Sequence, residues 1–177
     1  SHITGSVTPM QDNLAELTLD KPLWLADNDR LILRDITARQ TLAGARVVLL
    51  MQKKGCTPQP DATRWLQQLA NAQDDEATLR LLLQARPWHK TQLAWARPLT
   101  AEGFSASLSA IAPVEAGDYL LLAEVTAGWR RQVLDTLEGY HRKNEDRPGL
   151  GRSRLRRMAM HGLAAEIGLA VIDLLLA

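Results

Sequence analysis

The chain has 177 residues, 46% hydrophobic and 23% charged, and its 21 Lys+Arg against 20 Asp+Glu leave a formal net charge of +1. This is too apolar for a disordered chain and too evenly charged to attract nucleic acid through an overall field, so such a contact must come from local clustering. The single cysteine, Cys56, excludes an internal disulfide and a zinc site of several thiolates, and no window reaches the ~18 uninterrupted apolar residues of a membrane span. A cytoplasmic globular protein is expected. Leu174-Leu175-Leu176-Ala177 is an apolar run without a capping residue or polar tail, which is expected of a piece of a larger protein.

In chain order, residues 3–7, 14–19, 30–34 and 46–51 are short β-prone runs between turn formers and predict an antiparallel β unit. Alternation is clearest in Leu17-Thr18-Leu19 and Leu31-Ile32-Leu33-Arg34. Lys21-Pro22 and Ala26-Asp27-Asn28-Asp29 break the runs, because proline cannot donate to a ladder and Asx residues favour turns. Four strands are too few to close a barrel, so residues 1–51 are expected to be the C-terminal part of one, with strands missing upstream. Residues 52–60, with two prolines and a glycine, read as a linker.

Beyond it, Asp61 is positioned to cap a helix with Trp65, Leu66, Leu69 and Ala72 on one stripe, and Asp74 or Asp75 to cap a second with Leu79, Leu82 and Leu83 inward. Arg86-Pro87 closes the second. A short helix over 90–97 follows, then one begun by Thr100-Ala101-Glu102 and carrying Phe104, Leu108 and Ile111. Residues 113–122 read as two strands about a turn at Gly117-Asp118. Three helices and a hairpin are the winged-helix order, which assigns a first such domain to residues 61–125. From Thr126, a candidate cap, a longer helix with Trp129, Val133, Leu137 and Tyr140 starts a second, truncated domain over 126–177. The predicted class is α+β, multi-domain: a partial antiparallel β-barrel followed by winged-helix repeats. Trp24, Trp65, Trp88, Trp95 and Trp129 sit at spacings that predict core positions. His89 and His141 lack partners at metal-ligand spacing, and Cys56 lacks a base, so no metal and no catalytic nucleophile are assigned.

Two runs carry a family resemblance. Residues 30–48 hold a strand ending Leu33-Arg34-Asp35, a short loop, Arg39 ahead of Thr41, the small-residue stretch Ala43-Gly44-Ala45, and Val47-Val48. This resembles the closing hairpin of the third domain of tRNA-carrying elongation factors, most closely the bacterial selenocysteine-specific factor, the SelB family. The likeness extends back through residues 13–19 and Pro22-Leu23-Trp24-Leu25. The second run opens with Tyr140-His141, continues through Pro148-Gly149 and Gly151-Arg152, and ends with Leu155-Arg156-Arg157. It resembles the SelB-family segment between the first helix of a winged-helix repeat and the next.

The resemblance implies a piece of a GTP-dependent translation factor that delivers selenocysteinyl-tRNA to the ribosome at UGA codons, guided by a selenoprotein mRNA hairpin. GTP and magnesium would be cofactors of the full-length family protein. Residues 1–177 contain no Gly-x-x-x-x-Gly-Lys-Ser/Thr loop, so neither cofactor nor enzyme activity is expected of this piece. By resemblance to elongation factor Tu, Arg34, Asp35, Ile36 and Arg39 would form a tRNA-facing loop. Arg142, Lys143, Arg147, Arg152, Arg154, Arg156 and Arg157 form a basic patch suited to RNA or the ribosome. The alternatives are an Arg34–Asp35 ion pair at a strand end and a solvated arginine face paired with Glu138, Glu145 or Asp146. At the level of the whole chain, a DNA-binding regulator is disfavoured because the candidate recognition helix, 101–112, has no Lys or Arg. A purely structural module is the third reading.

Overall fold

A computed structural model describes residues 2–50, 62–96, 99–146 and 149–176; the linker at 52–60 with Cys56, the cap at Asp61, and Arg97 and Arg147 lie outside the described residues. Among the described residues no helix is long and apolar enough to cross a membrane.

Strand β1 (Gly5–Pro9) pairs antiparallel with β2 (Ala15–Leu19), and β3 (Arg30–Arg34) with β4 (Thr41–Arg46), as separate two-stranded sheets that close no barrel. The first hairpin turns through Asp12 and Asn13 at φ 56° and 63°, a left-handed conformation that short polar side chains tolerate. The fourth strand lies upstream of the expected 46–51. The turn at 35–40 sets the register, which puts Ala43, Gly44 and Ala45 opposite Leu33, Ile32 and Leu31. Small residues there match bulky ones across the ladder. Val47 still exchanges backbone hydrogen bonds with Asn28 and Asp29, at 2.9 and 2.8 Å, but Val48 and Leu49 then pack into the helical core. Burial thereby overrides their β propensity.

Helix α1 (Ala62–Asn71) meets this β unit at its C-terminal end. The Arg46 guanidinium donates to Asn28 Oδ1 at 3.0 Å and to the Ala70 carbonyl at 2.5 Å, and Gln67 donates to the Asp12 carboxylate. Ala70 belongs to the last helical turn, where carbonyls lack intrahelical partners and a cation is favoured.

Next come α2 (Asp75–Ala85), β5 (Trp88–His89), α3 (Lys90–Ala96), α4 (Ala101–Ile111), β6 (Val114–Ala116) and β7 (Tyr119–Leu121). The sheet order β5-β7-β6, all antiparallel, with α2, α3 and α4 around it is the winged-helix arrangement. The expected caps form: Asp74 Oδ1 accepts from the Ala77 amide at 2.6 Å, and Thr100 Oγ1 from Gly103 at 3.1 Å. Helix α4 ends at Ala112, in left-handed conformation, and Gly117 turns the hairpin at φ 58°. Leu79, Leu82, Leu83, Trp88, Leu93, Ile111 and Leu120 make the core. Strand β5 has two residues, too few for any periodicity to reveal.

Helix α5 (Ala123–Lys143) starts at Leu122, before the expected Thr126, whose hydroxyl instead donates back to the Leu122 carbonyl at 3.0 Å. Helices α6 (Arg152–Ala159) and α7 (Ala165–Leu176) complete a second core of Val133, Leu155, Ala159, Met160, Val171 and Ile172. That core also takes Ala116 and Leu121 from the β6–β7 wing, whereas Leu120 and Leu122 point into the first. The two-residue period of a strand thus sends alternate side chains into two cores. Tyr119, on the same face as Leu121, donates its hydroxyl to Glu166 of α7 at 3.5 Å. Burial, and then the Glu166 charge, hold this phenol above its ordinary value of 10.0.

The tryptophans divide. Trp88 is buried and donates its indole N–H to the Leu82 carbonyl at 2.9 Å; Trp65, half-buried, donates to Leu81 at 3.0 Å. Trp129 packs against the second core. Trp24 and Trp95, expected in the core, are 94% and 72% exposed. Trp24 lies in the irregular stretch between β2 and β3, and Trp95 is two residues past Leu93, a buried residue of α3, and so off its inward face.

Candidate nucleic-acid interface

The first candidate, Arg34 to Arg39, is a hairpin turn built around Asp35. The Asp35 carboxylate accepts the Thr37 hydroxyl and, at 2.8 Å, the Gln40 amide, while backbone hydrogen bonds join Asp35 to Gln40 and Ala38. The Thr37 hydroxyl first, and then the Gln40 amide, hold the carboxyl below its usual value of 3.8. Arg34 donates to the Ala38 carbonyl at 3.4 Å; the ion pair with Asp35 does not form, because that carboxylate is turned into the loop. Ile36 is 93% exposed and Arg39 is exposed beside it. The turn is internally satisfied and presents two cations and one apolar side chain outward.

The basic patch is sorted by its neighbours. Arg142 pairs with Glu138 one turn earlier at 3.3 Å, and Arg152 pairs with Asp173 of α7. Arg156 runs its aliphatic stem across Gly168, so closely that a Cβ built there would stand 2.7 Å from its Cγ. Arg154 lays its guanidinium over the Tyr140 ring at 5.6 Å. Lys143 and Arg157 are exposed and make no ion pair among the described residues. Of the acids expected to pair with the patch, Glu138 does so; Glu145 and Asp146, in the turn after α5, make no ion pair among the described residues. The stacking of Arg154 on Tyr140 and the Asp173 partner of Arg152 join residues far apart in sequence, and no local pattern announces them.

A cavity of about 360 Å³ opens where α2, α5 and residues 160–163 meet, lined by Arg86, Trp129, Gln132, Met160 and His161. It contains no residue of the loop at Arg34 to Arg39 or of the basic patch. Among the described residues no group of three His, Cys, Asp or Glu is placed to hold a metal ion.

Comparison with known proteins gives three family matches: the β-barrel domain of the selenocysteine-specific elongation factor over residues 1–54, its winged helix 1/3 over 60–107, and the winged helix of elongation factor SelB over 134–177. The chain is 51% identical over 160 residues to the selenocysteine-specific elongation factor of Escherichia coli K12, covering 90% of this chain and 26% of that protein. It is 31% identical over 167 residues to the Haemophilus influenzae protein of the same name, covering 90% of this chain and 27% of that one. The chain therefore spans about a quarter of the length of these relatives, and none of the three matched segments is a GTPase domain. With one family matched in barrel and winged-helix segments alike, the chain belongs to the selenocysteine-specific elongation factors.

Proposed function

We propose that this chain is the tRNA-side barrel end and the connecting arm of a factor that delivers selenocysteinyl-tRNA to the ribosome at UGA codons. In this reading residues 1–51 belong to the barrel, and 61–125 and 126–177 to two winged-helix domains. The turn at Arg34, Asp35, Ile36 and Arg39 faces the tRNA. GTP and magnesium are held by a GTPase domain of the whole cytoplasmic factor, and the selenoprotein mRNA hairpin is bound by other modules.

The supporting observation is strand β7 of the wing, whose adjacent Leu120 and Leu121 are buried in two different cores. An arm raises the effective concentration of two distant binding events only when it holds their spacing, and a shared strand does that better than a flexible joint. The same wing weighs against a DNA-binding regulator. Helix α4 has no Lys or Arg, and the exposed part of its wing carries the acidic Glu115 and Asp118.

The test is a chimera in which this chain replaces the matching segment of the Escherichia coli factor. Selenium incorporation at an in-frame UGA is expected to persist, and Leu121→Asp, which puts a charge between the cores, to abolish it. A stable, well-accumulated chimera that inserts no selenocysteine would sink the reading.

A further inference from the structure

We propose that Lys143, Arg154 and Arg157 form an RNA phosphate-binding face, and that the other described arginines of the patch serve the fold. The division follows from their partners. Arg142 and Arg152 are neutralised by Glu138 and Asp173, and Arg156 is committed to packing over Gly168. Three exposed cations remain without a carboxylate among the described residues. Arg154 and Arg157 are three apart on α6, so they share one side of that helix. Leu155 and Ala159, which are buried, define its opposite side.

Arg154 is the anchor. Its guanidinium carbon lies over the Tyr140 ring, 5.6 Å from the centroid, and the exposed side chain keeps its fork of N–H donors available to a ligand. A phosphate accepts such a fork, and pre-orienting it lowers the ordering cost of binding. Arg157, three residues on from Arg154 along α6, and Lys143, three residues on from Tyr140 along α5, add point charges. Helix α6 has no acidic residue in its first turn to repel a phosphate. An acidic protein surface would meet the same charges. RNA is favoured because the inference rests on the reading of the chain as part of a translation factor, which works among RNA partners.

The experiment titrates the 177-residue chain with a labelled, mixed-sequence RNA duplex of roughly two helical turns across a potassium chloride series. Each phosphate contact contributes about 0.7–0.9 to the slope of log affinity against log salt. Lys143→Gln/Arg154→Gln/Arg157→Gln together are therefore expected to flatten that slope by about 2–3, whereas Arg142→Gln leaves it nearly unchanged. Lys143→Arg/Arg157→Lys, which keeps the charges, should bind close to the parent, whereas Arg154→Lys should keep the salt slope but bind more weakly than the parent because the fork is lost. If the triple Gln variant fails to fold, Arg157→Gln alone, at an exposed side chain, should still lower the slope by about 0.7–0.9. The proposal is overturned if the Gln variants keep the parent slope, if the parent binds no RNA, or if it binds poly-L-glutamate as tightly as RNA. An active chimera with an unchanged salt slope would remove this face and leave the arm standing; an inactive chimera with a flattened slope would do the reverse.

Discussion

Asp35 shows how one side chain organises a candidate contact loop. Its carboxylate collects the Thr37 hydroxyl and the Gln40 amide, and both favour the charged form. The folded pKa is depressed, so the stabilising contribution is complete above pH about 4 and is lost as pH falls through the lowered value. In an NMR titration the Asp35 carboxyl carbon and the Gln40 amide should shift together with a midpoint below 3.8, and Asp35→Asn should remove the Gln40 response. A midpoint at or above 3.8 would mean that the turn does not hold in solution. The residue types of this loop were legible in the sequence; the direction of the Asp35 side chain was not. A neighbouring arginine made an ion pair the simplest expectation, but two donors inside the turn outcompeted it. The caps at Asp74 and Thr100 were legible because capping is a local interaction spanning three residues. The exposure of Trp24 and Trp95 was not, since spacing says which residues share a face and not what covers it.

At the level of elements, the wing is the informative piece. Leu120 is buried with α2 and α4, and Leu121 with α5, α6 and α7, although the two are adjacent in sequence. Leu120→Ala and Leu121→Ala are each expected to cost about 2–5 kcal/mol, as buried leucine truncations do. Their hydrogen-exchange signatures should differ. Leu120→Ala should first expose amides of α2 and α4, and Leu121→Ala those of α6 and α7. Identical patterns would mean that the wing does not partition between two cores. The hairpin was legible from its Gly117-Asp118 turn and flanking apolar residues. Its double burial was not, because Leu120-Leu121-Leu122 reads as one apolar run until a second layer arrives on the far side. The strand at Trp88–His89 was hidden for a related reason: it exists only through pairing with Leu120 and Tyr119.

Across the whole molecule, the β unit is tied to the helical part by Val48 and Leu49 in the first core and by Arg46 at the end of α1. Arg46→Ala should weaken this docking by about 1 kcal/mol, the net worth of an exposed hydrogen-bonded group. Amide exchange over residues 28–50 should accelerate while α2, α4 and α7 keep their protection. Unchanged exchange there would assign the docking to Val48 and Leu49 alone. By itself the sequence determined the class of fold, the order of the helices and of the hairpin in the first winged helix, and the two runs that resemble the selenocysteine-specific factor. All of these are carried by local periodicity, turn chemistry and contiguous motifs. Only the tertiary structure decided that the fourth strand is the small-residue stretch, that one wing serves two cores, and which arginines of the basic patch are neutralised. Those outcomes depend on partners far along the chain, such as Asp173 for Arg152 and Tyr140 for Arg154, and burial and pairing energies are set by such partners.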